Sequence, residues 1–218
     1  MTNIMTKIFF SGFILGMRTD KVSFGAKPLY DTKIKKFDRE KTGFVELPVN
    51  FVKLEPSDIR IIDVLAETWE GAEYINKIAT ASHWMKTVPI DIYAITEQKN
   101  NFDRLDPLKI LGIAEIRNDD MRQGFKQLHY LQVNPEAINV DNNGRKFYKL
   151  TGTTILNSLK KLYKNISLFS NENTNVKKFY ENNGFIEDFM GKNHYIWSTN
   201  IITKLKVMYY KYMHRNRF

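Results

Sequence analysis

Tyr180 is the residue of this chain best framed for chemistry. It lies in Asn173 to Phe185, N-T-N-V-K-K-F-Y-E-N-N-G-F, shortly after the apolar run Ile166-Ser167-Leu168-Phe169. A strand, a turn, a short helix bearing Phe179-Tyr180 and an Asn183-Gly184 stop form a compact unit that presents one phenolic hydroxyl beside a strand end. The same residues admit a plainer account. Val176, Phe179 and Tyr180 stand at i, i+3 and i+4, the spacing of a buried helix stripe. Asn183-Gly184 is then only a helix stop, since glycine enters the left-handed conformation without steric cost. The order of the surrounding elements weighs toward the first reading.

Those elements begin with Val49 to Leu54, which alternates in the two-residue period of a strand. Pro56-Ser57-Asp58 opens a helix whose apolar face is Ile59, Ile62, Leu65, Ala66 and Trp69, and after Gly71 a second helix runs over Ala72 to Lys86. Three strands follow, Ile90 to Thr96, Lys109 to Arg117 and Gln127 to Val133. The connections between them are polar and rich in Asn, Asp and Gly, as in an antiparallel meander. A helix near Gly152 to Tyr163 leads to the strand Ile166 to Phe169, giving a parallel strand-helix-strand crossover. The Tyr180 helix and a last hairpin, Phe185 to Met190 and His194 to Ser198, close the domain.

Composition bounds the rest. The chain has 218 residues, 43% of them hydrophobic and 13% aromatic, enough for one sizeable core. Its net charge of +9 sits at the ends. Residues 1–45 hold 9 basic against 4 acidic residues and residues 199–218 hold 5 against 0, while 46–198 are nearly neutral. Three segments are therefore expected: a partly ordered basic extension over 1–45, a folded domain over 46–198, and a basic amphipathic helix or tail over 199–218. In the last, Ile202, Leu205, Met208, Tyr209 and Tyr212 share one helix face while Lys204, Lys206, Lys211 and Arg215 decorate the rest, as in interfacial or partner-binding helices; packing back on the domain is the plainer expectation. An anionic partner for the basic ends is open: RNA, ribosome, membrane or an acidic protein.

No apolar run reaches the roughly 18 residues of a membrane span. Ile8 to Met17 has the length of a signal-peptide core, but Arg18, Asp20 and Lys21 follow it without a small-x-small site, so a cytoplasmic protein is expected. Zero cysteines exclude disulfides and thiolate chemistry. His83, His129, His194 and His214 lack metal-ligand spacing, so no metal is expected. Trp69, Trp84 and Trp197 are read as core or domain-edge packing.

The element order resembles that of the GNAT superfamily of acetyl-CoA-dependent N-acetyltransferases, over roughly residues 46–198. The resemblance implies an α+β fold: a mixed, mostly antiparallel central sheet with helices on both faces and a parallel crossover. Leu128 to Pro135, L-H-Y-L-Q-V-N-P, looks like that family's central strand, which commonly ends in Leu-x-Val-x-Pro. Tyr148 to Leu156 occupies the place of its pyrophosphate loop, and Asn173 to Phe185 resembles its Asn-x-x-Ala…Tyr-Glu-x-x-Gly-Phe segment, with Val176 for alanine. A helix start suits a diphosphate because its first amides have no intrahelical partners and the dipole is positive there. The chain departs from the family's Gln/Arg-x-x-Gly-x-Gly/Ala loop by one glycine. If Gly152 is the last glycine, Leu150 replaces the one before it; if Gly152 is the first, Thr154 replaces the second. The first register is favoured, since Gly152-Thr153-Thr154-Ile155-Leu156 then sits like the family's Gly-Thr-Ala-Leu-Leu.

By resemblance, the cofactor is acetyl-CoA or another acyl-CoA. Its binding would draw on Leu131, Gln132 and Val133 of a splayed, bulged central strand, on Arg145, Lys149, Leu150, Thr151, Gly152 and Thr153, and on Asn173. Tyr180 would serve the departing thiolate. The base is open between His129, whose imidazole titrates near neutrality, Glu115 on the preceding strand, and a water chain. The acceptor would be an amine on a small molecule or protein, and the chain a monomer or homodimer. The rival reading is a catalytically weak GNAT-like binding protein acting through its basic ends.

Overall fold

The computed structural model describes residues 25–69, 73–85, 89–138 and 147–214. The apolar run Ile8 to Met17 and Gly71 lie outside them. Lys27–Asp38 forms a twelve-residue strand, β1, paired antiparallel with β2, Gly43–Leu54. The sheet therefore takes in much of what reads as an extension, and the folded unit starts well before Val45. β1 escapes a periodicity reading because Ile34 alone is buried along it, while Lys27, Lys33 and Lys35 face solvent. Lysines on the exposed positions are what a strand near a sheet edge requires.

Two helices follow, α1 (Ile59–Thr68) and α2 (Glu73–Ser82), then the meander β3 (Asp91–Thr96), β4 (Ile110–Asn118) and β5 (Lys126–Val133). A one-turn helix α3 (Pro135–Ile138) and the two-residue strand β6 (Tyr148–Lys149) lead into α4 (Thr151–Leu162) and β7 (Asn165–Phe169). α5 (Thr174–Asn182), β8 (Ile186–Glu187), β9 (His194–Ser198) and α6 (Ile201–His214) complete the order. The nine strands make one sheet in the order β6-β1-β2-β3-β4-β5-β7-β9-β8. Every pairing is antiparallel except β5 with β7. This is the mixed, mostly antiparallel α+β class expected from the sequence, with the crossover β5-α4-β7 in place.

Helices cover both faces. On one, Ile62 and Leu65 of α1 and Ile75 and Ile78 of α2 bury against Val52, Ile92, Ala94 and Ile113. On the other, Ile155, Leu156 and Leu159 of α4 bury against Phe51, Tyr93, Leu111 and Ala114. The alternation of β3 and β4 supplies both sets, as strands buried on two faces must. α4 lies close to the sheet at Gly112, where a Cβ would come within 2.7 Å of Ile155 Cδ1. β1 also holds this helix, through Thr154 Oγ1 donating to the Lys33 carbonyl at 3.1 Å and the Tyr30 hydroxyl donating to the Ser158 carbonyl.

α6 differs from expectation. Its helix forms, but the stripe Ile202, Leu205, Met208, Tyr209 and Tyr212 points to solvent rather than back on the domain, and Val207 is the one side chain recorded as buried among its described residues. No described helix is long and apolar enough to cross a membrane.

Candidate functional site

β5 decides where the site lies. Its parallel ladder with β7 covers only Lys126, Gln127 and Leu128, opposite Ile166, Ser167 and Leu168. Beyond Leu128 the strand continues to Val133 paired with β4 alone. The register against β4 also slips here: Tyr130 faces Glu115 and Leu128 faces Ile116, so His129 is the extra residue of a bulge. A bulge bends its strand and increases the local twist, which parts β5 from β7. The splay expected over Leu131 to Val133 is present, with its bulge two residues earlier.

The opening is a cleft of about 850 Å³. One wall is β5, through His129, Leu131 and Val133; another is the approach to α4, Lys149 to Thr153; a third is α5, through Tyr180. The structure thus gathers most of the residues singled out in the sequence. Three described ones do not line the cleft. Gln132 turns to the opposite face, where its Oε1 accepts from the Tyr74 amide at 3.3 Å and its Nε2 donates to the Val133 carbonyl at 2.9 Å. Asn173 caps α5, its Oδ1 accepting from the Asn175 amide at 2.8 Å. Glu115 is fully buried and receives the Arg117 Nε at 2.5 Å. Arg145 lies outside the described residues.

The start of α4 has the properties an anion needs. Leu150 stands at its N-cap with φ +70°, and no side chain caps the helix among the described residues. The first intrahelical bond recorded runs from the Thr154 amide to the Leu150 carbonyl at 2.7 Å, leaving the amides of Thr151 to Thr153 as the orphans of an ordinary helix start. Thr151 is 4% exposed and its Oγ1 has no hydrogen-bond partner among the described residues. An orphaned buried hydroxyl at an uncapped helix start fits a diphosphate. Gly152 keeps the passage to α5 narrow, since a Cβ there would come within 3.1 Å of Phe179 Cζ. Lys149 holds its ammonium 3.9 Å from the Phe44 ring centre. β6 pairs Tyr148 and Lys149 with Lys36 and Lys35 of β1, and the Tyr148 hydroxyl donates to Glu97 Oε1 at 2.7 Å, so the approach to α4 is anchored on the sheet.

Leu150 takes a left-handed backbone, where glycine is favoured and a leucine is strained.

Across the cleft, Tyr180 packs its ring against Phe179, Phe185 and Tyr195, with centres 5.2, 5.8 and 6.3 Å apart. Burial pushes its phenol well above the ordinary value, and Tyr74 adds to the effect. The hydroxyl stays protonated and has no recorded partner among the described residues. His129 shifts the other way: burial and then the Arg117 guanidinium lower its imidazole below 6.5. It is neutral at pH 7 and able to accept a proton. Burial raises the Glu115 carboxyl, opposed by Arg117.

Tyr74 is the cleft residue that sequence reasoning missed. It reads as part of the inward stripe of α2, yet it stacks on Tyr130 with ring centres 5.5 Å apart and lines the cleft. Its position directly after the break at Gly71, where a helix begins, was the available signal. Trp84, expected in packing, is 59% exposed and lines a smaller hollow with Lys77 and Arg117.

No protein-family model and no curated protein matches the chain. Solved structures do. AtaTR bound with AcCoA is 15% identical, with a TM-score of 0.48 over 72% of this chain and 98% of that one. A protein described as an acetyltransferase of the GNAT family, from Desulfovibrio desulfuricans, is 13% identical, with a TM-score of 0.46 over 70% and 99%. The PaiA N-acetyltransferase of Thermoplasma acidophilum, in complex with coenzyme A, is 17% identical, with a TM-score of 0.42 over 68% and 96%. Two of these three are described as acetyltransferases.

Proposed function

We propose that this chain transfers an acetyl, or another acyl, group from a CoA thioester directly to the amine of an acceptor. The observation that carries the reading is the cleft itself: an uncapped helix start with an orphaned Thr151 hydroxyl faces a strand, β5, that has left its neighbour. Bound CoA would supply the activated acyl thioester. The amides of Thr151, Gly152 and Thr153 would hold its diphosphate with the helix dipole, and Lys149, with Arg145 nearby in sequence, would add charge. The unpaired edge of β5 at Leu131 to Val133 would take the amide-bearing arm. Asn173 would act on the same site indirectly, by capping the helix that carries Tyr180.

In the transfer, an N–C bond forms between amine and acyl carbon and the C–S bond breaks. His129, neutral at working pH, would take the amine proton, and Tyr180, held protonated by its burial, would donate a hydrogen bond or a proton to the sulfur. Glu115 is less suited to the base role, because it is enclosed behind Arg117 and outside the cleft wall. The acceptor, an amine of a small molecule or a protein, would approach by the α2 side, past Tyr74 and the hollow of Lys77, Trp84 and Arg117.

Calorimetric titration with acetyl-CoA tests the reading, with CoA and a Gly152→Trp variant as controls. Micromolar binding that the variant loses supports it. An absence of binding at millimolar acetyl-CoA, in a sample with intact far-ultraviolet circular dichroism, defeats it and leaves a GNAT-like binding protein.

A further inference from the structure

α6 turns its apolar side outward. Ile201, Leu205, Met208 and Tyr212 follow one another at spacings of three and four, and Ile202, Tyr209 and Met213 lie beside them on the same side of the helix. All seven are exposed, Ile201 at 69% and Tyr212 at 76%, while Val207 on the opposite side is 2% exposed and anchors the helix to the domain. The stripe is not a loose end of the core. It is a continuous apolar face on a helix whose buried side is already used.

Its borders are basic. By the helical repeat, Lys206 falls along one edge of the stripe and Lys204 along the other, and residues 199–218 contain 5 basic and 0 acidic residues. The turn after α4 adds Lys164, whose carbonyl accepts from the Thr199 amide at 2.9 Å. Two such helices from two copies would bring like charges together along both edges of a shared seam. Residues 1–24 carry the apolar run Ile8 to Met17 but are basic as well, with Lys7, Arg18 and Lys21 against Asp20, and would meet the lysine borders with like charge. An apolar stripe bordered by lysines matches a surface with negative charges above and hydrocarbon below.

We propose that α6 is an interfacial helix that docks this protein on an anionic lipid surface, with Ile201, Leu205, Met208 and Tyr212 in the acyl boundary and the lysines at the headgroups. At about 1.5 Å per residue its 14 residues reach about 21 Å, short of the roughly 30 Å hydrocarbon core, so it lies along the surface rather than across it. Val207 keeps the domain on the water side.

Vesicle flotation of the full chain tests this, using phosphatidylcholine with about 30% phosphatidylserine against phosphatidylcholine alone. The expected result is partition onto the anionic vesicles that is at least about tenfold stronger than onto the neutral ones and weakens between about 0.1 M and about 1 M salt. Leu205→Asp with Tyr212→Asp should reduce it at least about tenfold, with circular dichroism and melting temperature retained because both side chains are exposed. Lys204→Glu with Lys206→Glu should remove the preference for phosphatidylserine. No flotation with anionic vesicles overturns the proposal, as does flotation that the aspartate pair leaves unchanged. A dimer in sedimentation velocity that Leu205→Asp dissociates, or salt-sensitive RNA binding, each without flotation, also overturns it and names the other occupant.

Discussion

Two side chains in one cleft shifted in opposite directions suit acyl transfer to an amine: a phenol that keeps its proton and a neutral imidazole with one ring nitrogen free to accept one. Tyr180→Phe removes only the hydroxyl from a ring packed among Phe179, Phe185 and Tyr195, so turnover should fall about 10²-fold with acetyl-CoA affinity unchanged within about twofold. Steady-state rates and calorimetry on one preparation check both halves. With His129 as the proposed base, the neutral imidazole would be the active form, so kcat/KM should rise with pH through its value, and the acid limb should lie below the ordinary 6.5. His129→Gln should abolish that limb. Leu150 allows a test of strain: its left-handed backbone costs about 1–2 kcal/mol, which Leu150→Gly relieves, less about 0.5–1 kcal/mol for glycine's freedom in the unfolded chain. Thermal melts should show no loss or a gain of up to about 1.5 kcal/mol, whereas β-branched Leu150→Ile should lose stability. At this scale the sequence was informative where chemistry and backbone coincide, as at Tyr180, Thr151 and Gly152. It was not where a side chain serves two ends, since the apolar ring of Tyr74 hides its hydroxyl in a helix stripe and the capping of α5 by Asn173 reads like a site asparagine.

Elements with a strong period were legible to within a few residues. α4, with Ile155, Leu156 and Leu159 on one side, and β3, buried on both faces, could hardly be read otherwise. β1 was not legible, because one buried residue in twelve leaves no alternation, and β6 exists only because β1 is there to pair with it. Nor does composition reveal the His129 bulge, which is set by the competing registers of two neighbours. Pairing between elements also explains a buried ionic cluster. Asp188, next to β8, accepts from Arg122 of the β4-β5 loop and faces His194 Nδ1 of β9 at 3.0 Å, with its side chain fully buried. Burial raises its carboxyl, but His194 and Arg122 outweigh this and leave it below 3.8. A depressed carboxyl contributes stability that is present above its unfolded value and lost as pH falls through the folded one. Asp188→Asn should therefore cost about 3 kcal/mol in denaturant unfolding at pH 7, and the deficit should shrink on acidification below about pH 4.

For the whole molecule, the charge count and the strand order pull apart. The count marks both ends as basic appendages, but the sheet extends through one of them. Deleting residues 1–45 removes β1 and the first three residues of β2, uncovers the rest of β2 and takes away the partners of Thr154 and Ser158, so that chain should fail to fold cooperatively in a thermal melt. Deleting residues 201–218 removes the buried Val207 and the Tyr210 ring packed on Phe189, and should leave the melting transition cooperative. The parting of β5 from β7 has its own consequence at this scale. Half of an interior strand is left with its hydrogen-bonding edge open, so the central part of the sheet is an incomplete ladder until something lies against it. A ligand seated there acts as a strand of the fold. Amide exchange at Tyr130 to Val133 should slow on its binding, and saturation to about a hundred times its dissociation constant should add about 2.7 kcal/mol to unfolding. The protein would then report its own occupancy as a rise in melting temperature.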